Sequence, residues 1–454
     1  MSYSKFYSKI IYPVYHYLMR DGVLEARKEI EKFLSLSPAE REVAQKAKLD
    51  KLLKYAYENC PFYKQRFDQA GIASGKLLEG LENIPPLTKG DIQNHANSIK
   101  SNQGVESDQL ICSSTGGSTG EKVVFYFDRY CQAMRKATVL YDLKMMGLNN
   151  GAKVAKLWGA PMDINLSNSF RGKVHSWLTR TLMMSTYQLS DEDMRVYVDK
   201  IATFQPQVLV SYPSPLAAFC DYLMKTNRRF PTIRYVVTSA EQLFGWQREK
   251  IERTFNCKVM NRYGSREFGD IAHEFPHERG FHVHSFRLFM EVLDENNHPV
   301  NAGDRGRIHI TDLDNYGMPF IRYRIEDDGI WQNQKHEGTP YGQPVLERVE
   351  GRSFDIVEAP NGNRLGGTYW TILFRSQPGI KKFQVRQNQK NMIVVDYIPD
   401  IGIGHQLPES SRSFFAEQIQ LKCGPSMFVS FNQVDQIRQT KSGKSRLVIS
   451  ELSA

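Results

Sequence analysis

Residues 112–127 read C-S-S-T-G-G-S-T-G-E-K-V-V-F-Y-F, and this stretch decides how the chain is interpreted. Three glycines and five hydroxyl side chains stand together, and an apolar run rich in Val and Phe follows them. Glycine lets backbone N–H groups close around an anion, and hydroxyl groups can donate to phosphate oxygens. The apolar run is typical of a strand. The stretch therefore predicts a phosphate-binding loop followed by a strand, and not a free linker.

Two common phosphate-binding motifs are excluded for this loop. A Walker A loop has Lys directly after its last Gly and then Ser or Thr. Here Glu121 follows Gly120, and Val123 follows Lys122. A dinucleotide fingerprint needs G-x-G-x-x-G with an acidic residue about twenty positions later, and this loop does not match it. The sequence therefore indicates a polyphosphate site of another class.

Length and charge limit the kind of protein. A chain of 454 residues exceeds what one hydrophobic core usually serves, so two or three domains are expected. The formal net charge is +9, but the Lys and Arg residues are spread along the chain. Spread charge favours anionic substrates or an anionic surface. No aromatic-plus-basic ribonucleoprotein motif is present, so no nucleic-acid partner is expected.

The amino terminus and the cysteines indicate a cytoplasmic protein. Six scattered cysteines form no close pair, and the amino terminus lacks the apolar core and cleavage site of a secretion signal. No apolar run approaches the roughly 20 residues of a membrane span. Residues 1–35 mix Tyr, Ile, Leu and Lys, and Pro13 interrupts their periodicity. We expect a helix packed on the body, with peripheral contact to the inner membrane surface as the alternative.

Apolar periodicity divides much of the chain into alternating helices and strands. Several predicted strands run into loops that carry polar residues. The predicted helices cover 39–73 in two pieces divided at Pro61, Tyr130–Met146 and 191–204. A strand that runs into a loop is predicted in V-A-K-L-W-G-A-P at 154–161, a short strand followed by a turn in Q-V-L-V-S-Y-P-S-P at 207–215, and further strands at 234–239 and 258–262. This alternation predicts an α/β body with a largely parallel sheet and sites at the strand ends.

Five further motifs carry a resemblance to a known superfamily. They are T-S-A-E at 238–241, N-R-Y-G-S-R-E-F-G at 261–269, I-R-Y-R-I-E-D-D-G at 321–329, V-E-G-R-S-F-D at 349–355 and R-Q-T-K-S-G-K-S-R at 438–446. Together with the glycine loop at 115–120, they resemble the phosphate, nucleotide, ribose, hinge and carboxyl-terminal lysine motifs of the adenylate-forming enzymes. That superfamily comprises acyl-CoA synthetases, adenylation domains and luciferases. Each motif is weak alone, but the ordered set is specific.

Two amino-terminal motifs narrow the resemblance to one branch. These are Y-A-Y-E-N-C-P-F-Y at 55–63 and I-P-P-L-T-K at 84–89. They resemble the phenylacetate–CoA ligase and capsule-biosynthesis, CapK-like branch, which also includes coenzyme F390 synthetase. The resemblance implies ATP-dependent activation of a carboxylic acid as an acyl-adenylate, with CoA as the default acceptor. It also suggests a role in capsule or exopolysaccharide synthesis, with association to that assembly.

The resemblance also implies an architecture. The fold class is α/β, with mostly parallel sheets flanked by helices in a large amino-terminal domain, residues 1–351, of which 1–100 are helical. A hinge at 352–355 leads to a small mobile α/β domain at 356–454. Within that domain the sequence itself predicts a β-hairpin over 380–398 and a helix that ends at Gly424.

The resemblance assigns roles to individual positions, with ATP and Mg²⁺ as cofactors. The β- and γ-phosphates would be held by Thr115, Gly116, Gly117, Ser118, Thr119 and Gly120. The nucleoside would be lined by Ser239, Ala240, Glu241, Asn261, Tyr263, Gly264, Ser265 and Arg266. Each of the remaining positions has a more specific role. Glu267 would bind Mg²⁺, Asp327 the ribose hydroxyls, Arg352 the ribose or a phosphate, Lys444 the attacking carboxylate and the α-phosphate, and Asp355 would be the hinge pivot.

The chain departs from the superfamily pattern in three places. Arg266 stands where many relatives have Thr beside the metal-binding Glu. Ile325 and Glu326 replace the usual small pair before Asp327, and Phe354 replaces a frequent Asp before the hinge. None of these changes removes a charge-carrying residue that the proposed chemistry needs.

Several alternatives stay open at the level of sequence. The protein could leave AMP on its product, transfer an acyl group to an amino sugar, or bind nucleotide as a catalytically silent scaffold. The acid itself cannot be named. Its pocket is expected around Trp158–Pro161, Ser211–Leu216 and Phe244, which suits apolar or aryl acids.

The sequence H-E-F-P-H at 273–277 matches the H-E-x-x-H zinc motif in letters only. That motif needs a helix to place both His on one face, and Pro276 and Gly280 make a long helix unlikely to form. A zinc-protease interpretation is set aside. A structural zinc site among His273, His277, His282 and His284 stays open.

Overall fold

The computed structural model describes most of the chain. Described are residues 6–102, 105, 109–114, 123–149, 151–158, 176–186, 190–241, 243–333, 343–350, 357–365, 369–370, 373–374, 377, 379–399, 406–438, 447–450 and 452. Two compact units are found. The first comprises 1–115, 123–152 and 260–351, and the second 116–122, 153–259 and 352–454.

The part of the chain that the structure describes contains ten α-helices. A π-helical turn at Tyr7–Ile11 leads directly into the first of them. The helices are α1 (Tyr12–Met19), α2 (Val23–Leu34), α3 (Pro38–Asn59), α4 (Pro61–Gln69), α5 (Lys89–Ile99), α6 (Arg129–Met145), α7 (Asp191–Phe204), α8 (Pro213–Lys225), α9 (Gly245–Phe255) and α10 (Glu409–Cys423). None of the described helices is long and apolar enough to span a bilayer.

The strands are shorter and more numerous. They are β1 (Ile111–Ser114), β2 (Val124–Phe127), β3 (Val154–Leu157), β4 (Thr181–Met184), β5 (Val208–Ser211), β6 (Tyr235–Ser239), β7 (Lys258–Ser265), β8 (Gly269–Phe275), β9 (Glu278–Val283), β10 (Leu288–Leu293), β11 (Arg305–Asp312), β12 (Tyr323–Trp331), β13 (Val345–Glu350), β14 (Val357–Glu358), β15 (Arg364–Leu365), β16 (Ile380–Gln389), β17 (Met392–Pro399), β18 (Phe428–Gln433) and β19 (Val448–Ser450).

Local sequence rules account for several boundaries. Cys60 interrupts the helix before Pro61, whose missing N–H makes it a good first residue for α4. Thr88 caps α5, and Asp91 reciprocates in a capping box. The predicted division at Pro61 is confirmed, as are the hairpin β16–β17 and the end of α10 at Gly424.

The first unit is built on antiparallel strands. Its strands follow one another in the order β10, β11, β12, β13, β9, β8 and β7, and each described pairing among them is antiparallel. Helices α3, α4 and α5 contribute Leu52, Phe67 and Ile92 to a core that these strands share. The predicted α/β class is confirmed, but the largely parallel sheet does not extend to this unit.

The second unit contains the parallel strands that the alternating pattern predicts. Strands β6, β5, β3 and β4 lie side by side, all parallel. Helices α7, α8 and α9 pack on them around Phe219, Val236 and Ile251. Later in the chain, β18, β17, β16 and β19 form a four-stranded sheet. Trp370 and Phe415 are buried in the core of that carboxyl-terminal part.

One predicted boundary is wrong. The sequence predicts a loop after Arg262, but β7 continues to Ser265 and pairs with β8. Gly264 makes this pairing sterically possible, because a Cβ there would lie 2.7 Å from the carbonyl oxygen of Gly269. The motif at 261–269 is therefore a β-hairpin with a tight turn, and not a loop after a strand.

Both amino-terminal motifs pack against the segment that leads into the 321–329 motif. The buried Tyr63 hydroxyl donates to the Pro319 carbonyl at 2.7 Å and accepts from the Ile321 N–H at 3.2 Å. Leu87 forms an isolated parallel bridge with Tyr323. The residues that resemble one branch of the superfamily thus fix the start of β12.

Arg322 joins these elements from inside the first unit. Its side chain is 1% exposed and its Nε lies 3.1 Å from Glu291 Oε2. Its Nη1 donates to the carbonyl oxygens of Leu81, Glu82 and Ile84 at 3.0, 2.9 and 2.8 Å. Burial raises the pKa of Glu291, although the Arg322 charge opposes that change. One buried cation therefore satisfies three carbonyl groups in and directly after the short 3₁₀ helix Leu81–Asn83.

Replacing Arg322 with Met is expected to lower the free energy of unfolding by about 3 kcal/mol, because a buried carboxylate and three carbonyls lose their partner. Chemical denaturation of both proteins measures this loss. Arg305→Met is the matched control, since its side chain is 60% exposed in its ion pair with Asp328, and it should cost less than about 1 kcal/mol. Equal losses in the two variants would contradict the structural role of Arg322.

Candidate functional site

A hydrogen bond joins two of the predicted nucleoside residues. The Tyr263 hydroxyl on β7 donates to Asp327 Oδ2 on β12 at 2.8 Å. Both side chains are partly buried. The bond holds the carboxylate in one orientation and leaves the aromatic ring as a flat wall beside it. Residues 64 positions apart in the sequence are thus brought together.

A bulge in β12 orients Asp327. Along the pairing with β11, Arg307 lies opposite Asp328 and His309 lies opposite Arg324, so β12 has two extra residues there. Within them Glu326 adopts a φ of +68°. A left-handed backbone costs a non-glycine residue roughly 1 kcal/mol. Glu326 is one of the residues at which the chain departs from the pattern predicted by resemblance, and its left-handed backbone gives that position an energetic cost.

The neighbouring Asp328 has a different function. It accepts hydrogen bonds from Arg305 Nε at 3.1 Å and Arg305 Nη2 at 2.7 Å. Successive side chains of a strand point to opposite faces, so the two adjacent acids meet different partners. Asp328 stabilises the β11–β12 pair, and Asp327 is the acid on the Tyr263 side.

The turn that carries Glu267 is held by its backbone. Ser265 Oγ accepts a hydrogen bond from the Phe268 N–H at 3.2 Å. Arg135, on α6, donates to the carbonyl oxygens of Arg266 and Glu267. Arg287 donates to the carbonyl oxygens of Phe268 at 2.7 Å and Asp270 at 3.3 Å. Two arginines distant in sequence therefore fix the turn, while the Glu267 side chain is partly exposed.

One buried carboxylate, Asp312, lies near both of these arginines, and a second, Asp314, lies 3.8 Å from Arg287 Nε. Asp312 Oδ2 lies 3.5 Å from Arg135 Nη2 and 3.4 Å from Arg287 Nη2. Arg287 is fully buried and Asp312 is 1% exposed. Burial would lower the pKa of Arg287, but Asp312 and other acids raise it above its ordinary value. Arg287 therefore remains charged, and the turn keeps its support over the whole physiological pH range.

Arg135 also touches the strand that follows the glycine loop. Its guanidinium lies over the Phe127 ring of β2, 4.3 Å from the centroid. Its side chain packs beside Gly269, whose φ is +69°. Arg135, Arg287 and Asp312 are not among the residues that the sequence predicts for the site. Nothing in the sequence near these residues marks them, because their partners lie far away in the chain.

Asn261 and Arg266 differ in what their side chains do. Asn261 Oδ1 accepts from the Arg262 N–H at 3.1 Å, and the Asn261 N–H donates to Glu274 Oε2 at 2.7 Å. The side chain of Arg266 is exposed at the tip of the turn. Asn261 thus belongs to the hairpin framework, whereas Arg266 is available to an incoming anion.

In the second unit the predicted residues 239–241 follow β6. Ser239 ends the strand and is 4% exposed. Ala240 has a φ of +67°, a conformation that a residue with a Cβ adopts only when its surroundings impose it. The chain therefore bends directly after the strand. The T-S-A-E motif thus lies at the end of a strand, as the sequence predicts.

Two residues of the predicted acid pocket stack on each other in the second unit. The rings of Trp158 and Tyr212 lie 4.1 Å apart with an angle of 26° between their planes. They follow β3 and β5, whose carboxyl ends meet at one edge of the parallel sheet. The arrangement forms an aromatic surface beside Ser211, whose hydroxyl is buried.

The H-E-F-P-H sequence does not form a helix. Residues 273–275 belong to β8, and the chain turns after them. His282 lies 3.3 Å from Glu278, and His284 lies 3.4 Å from Asp142. Within the described ranges no three His, Cys, Asp or Glu side chains are grouped as a metal site would need.

The remaining predicted site residues lie outside the described residues. They are Thr115, Gly116, Gly117, Ser118, Thr119, Gly120, Arg352, Asp355 and Lys444. Their roles stay predictions from the sequence. The described residues of the first unit's candidate site are therefore those predicted to contact the nucleoside and Mg²⁺. They lie on β7, on β12 and in the turn at Glu267.

The chain shares its fold with a solved acyl-CoA ligase. A solved structure of 2-hydroxyisobutyryl-CoA ligase, in complex with 2-HIB-AMP and CoA in the thioesterification state, superposes with a TM-score of 0.63. The match covers 93% of this chain and 92% of that one, at 18% sequence identity. Similarity at this level concerns the fold.

Sequence comparison identifies the branch. Residues 358–451 match the family described as the CapK C-terminal domain. Protein CapK of Staphylococcus aureus is 22% identical over 413 residues, covering 90% of this chain and 89% of that protein. The phenylacetate–coenzyme A ligase of Escherichia coli (strain K12) is 22% identical over 393 residues, covering 84% and 85%. The predicted resemblance is confirmed, because the chain is similar in sequence to protein CapK and to phenylacetate–coenzyme A ligases over most of its length.

Replacing Arg135 with Met should loosen the turn that carries Glu267, because two carbonyl groups lose their donor and Asp312 loses one of its cations. Faster hydrogen exchange is expected at the amides of residues 266–270, by about tenfold or more, since an uncompensated buried group costs about 1–3 kcal/mol. Mass spectrometry of exchanged peptides measures this.

Arg129→Met on the same helix is the matched control, since Arg129 is exposed. It should leave exchange in the turn unchanged. Unaltered exchange at 266–270 in Arg135→Met, in a folded protein, would show that Arg135 does not support the turn.

Proposed function

We propose that this protein uses ATP to convert a carboxylic acid into an acyl-adenylate and then transfers the acyl group to an acceptor, with CoA as the default. The observation that carries the proposal is the hydrogen bond from Tyr263 to Asp327 at 2.8 Å. It joins two motifs that are separate in the sequence and that both resemble nucleotide-binding motifs, which supports a common role in binding the nucleoside. The homology to phenylacetate–coenzyme A ligases supports the same activity.

The nucleoside is recognised by complementary groups in this arrangement. The Asp327 carboxylate can accept hydrogen bonds from vicinal ribose hydroxyls, and charged acceptors form the stronger hydrogen bonds. Tyr263 fixes that carboxylate through its own hydroxyl. Its ring offers an apolar face on which adenine can stack.

Glu267 fits a magnesium ion that arrives with ATP. Mg²⁺ commonly takes one or two protein carboxylates together with phosphate oxygens. The backbone carbonyls of Arg266 and Glu267 are engaged by Arg135, so the carboxylate is what Glu267 can contribute. When bound, the ion would neutralise charge on the phosphates. The residue present thus fits a substrate-borne ion, as the sequence predicts.

Activation takes place in two displacement steps. A carboxylate oxygen of the acid attacks the α-phosphorus, the bond from that phosphorus to the bridging oxygen breaks, and pyrophosphate leaves with the electron pair. Lys444 would neutralise the charge that collects between acid and phosphate. In the second step the acceptor thiol attacks the acyl carbon, AMP leaves, and the thiol proton passes to solvent.

The finer points of this proposal concern the acid and the acceptor. The stacked Trp158 and Tyr212 rings favour an apolar or aryl acid. An amino sugar as acceptor, and a role in capsule or exopolysaccharide synthesis in the cytoplasm, follow from the predicted resemblance to the CapK-like branch. An adenylyltransferase that leaves AMP on its product and a silent nucleotide-binding scaffold are the competing functions.

Purified protein should exchange labelled pyrophosphate into ATP only in the presence of a suitable acid, because the first step is reversible. A panel of aryl, aliphatic and hydroxy acids identifies the substrate. Lys444→Ala should reduce the exchange rate by about 100-fold or more, as removal of one preorganised charge contact does in other enzymes. No exchange with any acid, in protein that binds ATP, would favour the silent scaffold. AMP found covalently on the final product would support the adenylyltransferase instead.

Asp327→Ala should weaken ATP binding by about tenfold or more, because the ribose loses charge-assisted hydrogen bonds worth about 1.5–3 kcal/mol. Tyr263→Phe should have a smaller effect in the same direction. Glu267→Gln should mainly lower kcat and leave ATP affinity nearly unchanged. Isothermal titration and steady-state kinetics separate the two quantities.

Asp304→Asn serves as the control for these charge changes, since Asp304 is an exposed acid of the same unit. It should alter neither quantity. Equal loss of affinity and turnover in Asp327→Ala and Glu267→Gln would contradict the separate roles assigned to the two residues.

A further inference from the structure

The amino-terminal helical segment, residues 6–20, exposes a stripe of large apolar side chains. The exposed fractions are 42% for Phe6, 47% for Ile10, 50% for Val14, 78% for Tyr17 and 72% for Leu18. Their spacing of i, i+4, i+8, i+11 and i+12 places them along one side of a helix. A contiguous apolar patch on a surface usually marks an interaction site.

The opposite side of this segment is firmly packed. Tyr7, Tyr12 and His16 are 2%, 7% and 9% exposed. Their rings form a row, with centroids 6.3 Å apart for Tyr7 and Tyr12 and 4.3 Å apart for Tyr12 and His16. This side of the segment is buried within the first unit. The segment therefore has one buried side, and its exposed side carries the apolar stripe.

An ion-pair chain fixes the end of the segment. His16 Nδ1 lies 2.9 Å from Asp21 Oδ2, and Lys136 Nζ on α6 lies 3.3 Å from the same oxygen. Burial would raise the pKa of Asp21, but the hydrogen bond and charge of His16 and the charge of Lys136 lower it. The carboxylate stays charged at neutral pH, so the apolar stripe is presented in a fixed orientation.

The charges of the segment indicate which kind of partner can cover the apolar stripe. Residues 1–20 contain no acidic residue and include Lys5, Lys9 and Arg20, of which Lys9 and Arg20 are described and exposed. A second copy of this chain would bring the same cations against each other. An anionic surface would instead pair with them, and each basic residue near such a surface contributes about 1 kcal/mol.

We infer that the stripe of Phe6, Ile10, Val14, Tyr17 and Leu18 lies on the surface of a membrane that contains anionic lipids. Aromatic and aliphatic side chains would enter the boundary between headgroups and acyl chains, while Lys9 and Arg20 contact lipid phosphates. Helix α1 has eight residues, far fewer than a membrane span needs, so the segment lies along the surface. This surface is separate from the residues proposed for catalysis.

Sedimentation with lipid vesicles tests the inference on the full-length protein. Vesicles of phosphatidylcholine with phosphatidylglycerol should bind the protein, and vesicles of phosphatidylcholine alone should bind it more weakly. The triple variant Ile10→Ser, Tyr17→Ser, Leu18→Ser should bind the anionic vesicles at least about tenfold more weakly, because each buried large apolar side chain contributes about 1.5–3 kcal/mol when fully transferred. Lys9→Glu with Arg20→Glu should remove the preference for anionic lipid.

The matched control is Val43→Ser with Leu421→Ser, which removes apolar side chains that are 69% and 68% exposed elsewhere. It should bind the vesicles like the unchanged protein. Circular dichroism confirms that each variant is folded. Pyrophosphate exchange should be the same in all of them, so the outcome does not depend on the proposed enzymatic function.

Three results would overturn the inference. The unchanged protein could fail to bind anionic vesicles, or the folded triple variant could bind them equally well. A concentration-dependent dimer that disappears in the triple variant, without vesicle binding, would instead assign the stripe to a second copy of the chain.

Discussion

The position of Glu267 depends on one buried charge arrangement. The turn at residues 266–270 contributes four carbonyl groups to two arginine side chains, Arg135 and Arg287. Two cations next to each other would repel, but Asp312 lies within 3.5 Å of both. Removing any member leaves carbonyls or a charge inside the protein without a partner, which is costly at low dielectric. The turn, and with it the candidate metal ligand, is therefore as rigid as the core beneath it.

Arg322 is another buried arginine that donates to backbone carbonyl groups. It belongs to I-R-Y-R-I-E-D-D-G, a motif that the sequence associates with the ribose. Its side chain, however, points into the first unit and binds Glu291 and three carbonyls before α5. Because Leu87 pairs with Tyr323 in the same place, the motif combines two functions. Arg322 and Tyr323 stabilise the fold, and Asp327 is the residue of the motif that is predicted to bind the ribose.

The sequence predicts those features that depend on neighbouring residues. Pro61 restarts a helix and Thr88 caps one because each acts on groups a few residues away. The contact of Arg135 with Glu267 spans 132 positions, and no local pattern specifies which buried cation will meet which carbonyl. The extension of β7 was missed for a related reason. It depends on pairing with β8, and polar residues in a paired strand resemble a loop when read alone.

The bulge in β12 connects the fold to the candidate site most directly. Because the side chains of a strand alternate with a period of two, the two extra residues keep the order of inward and outward side chains and shift the register of β12 against β11 by two positions. The two extra residues place Asp328 against Arg305 and Asp327 against Tyr263. The conformation requires a left-handed residue, which here is Glu326. A strained residue persists where its surroundings determine it, and both neighbouring acids provide that constraint. The bulge brings Asp327 and Asp328 to Tyr263 and Arg305. The hydrogen bonds formed there in turn stabilise the bulge.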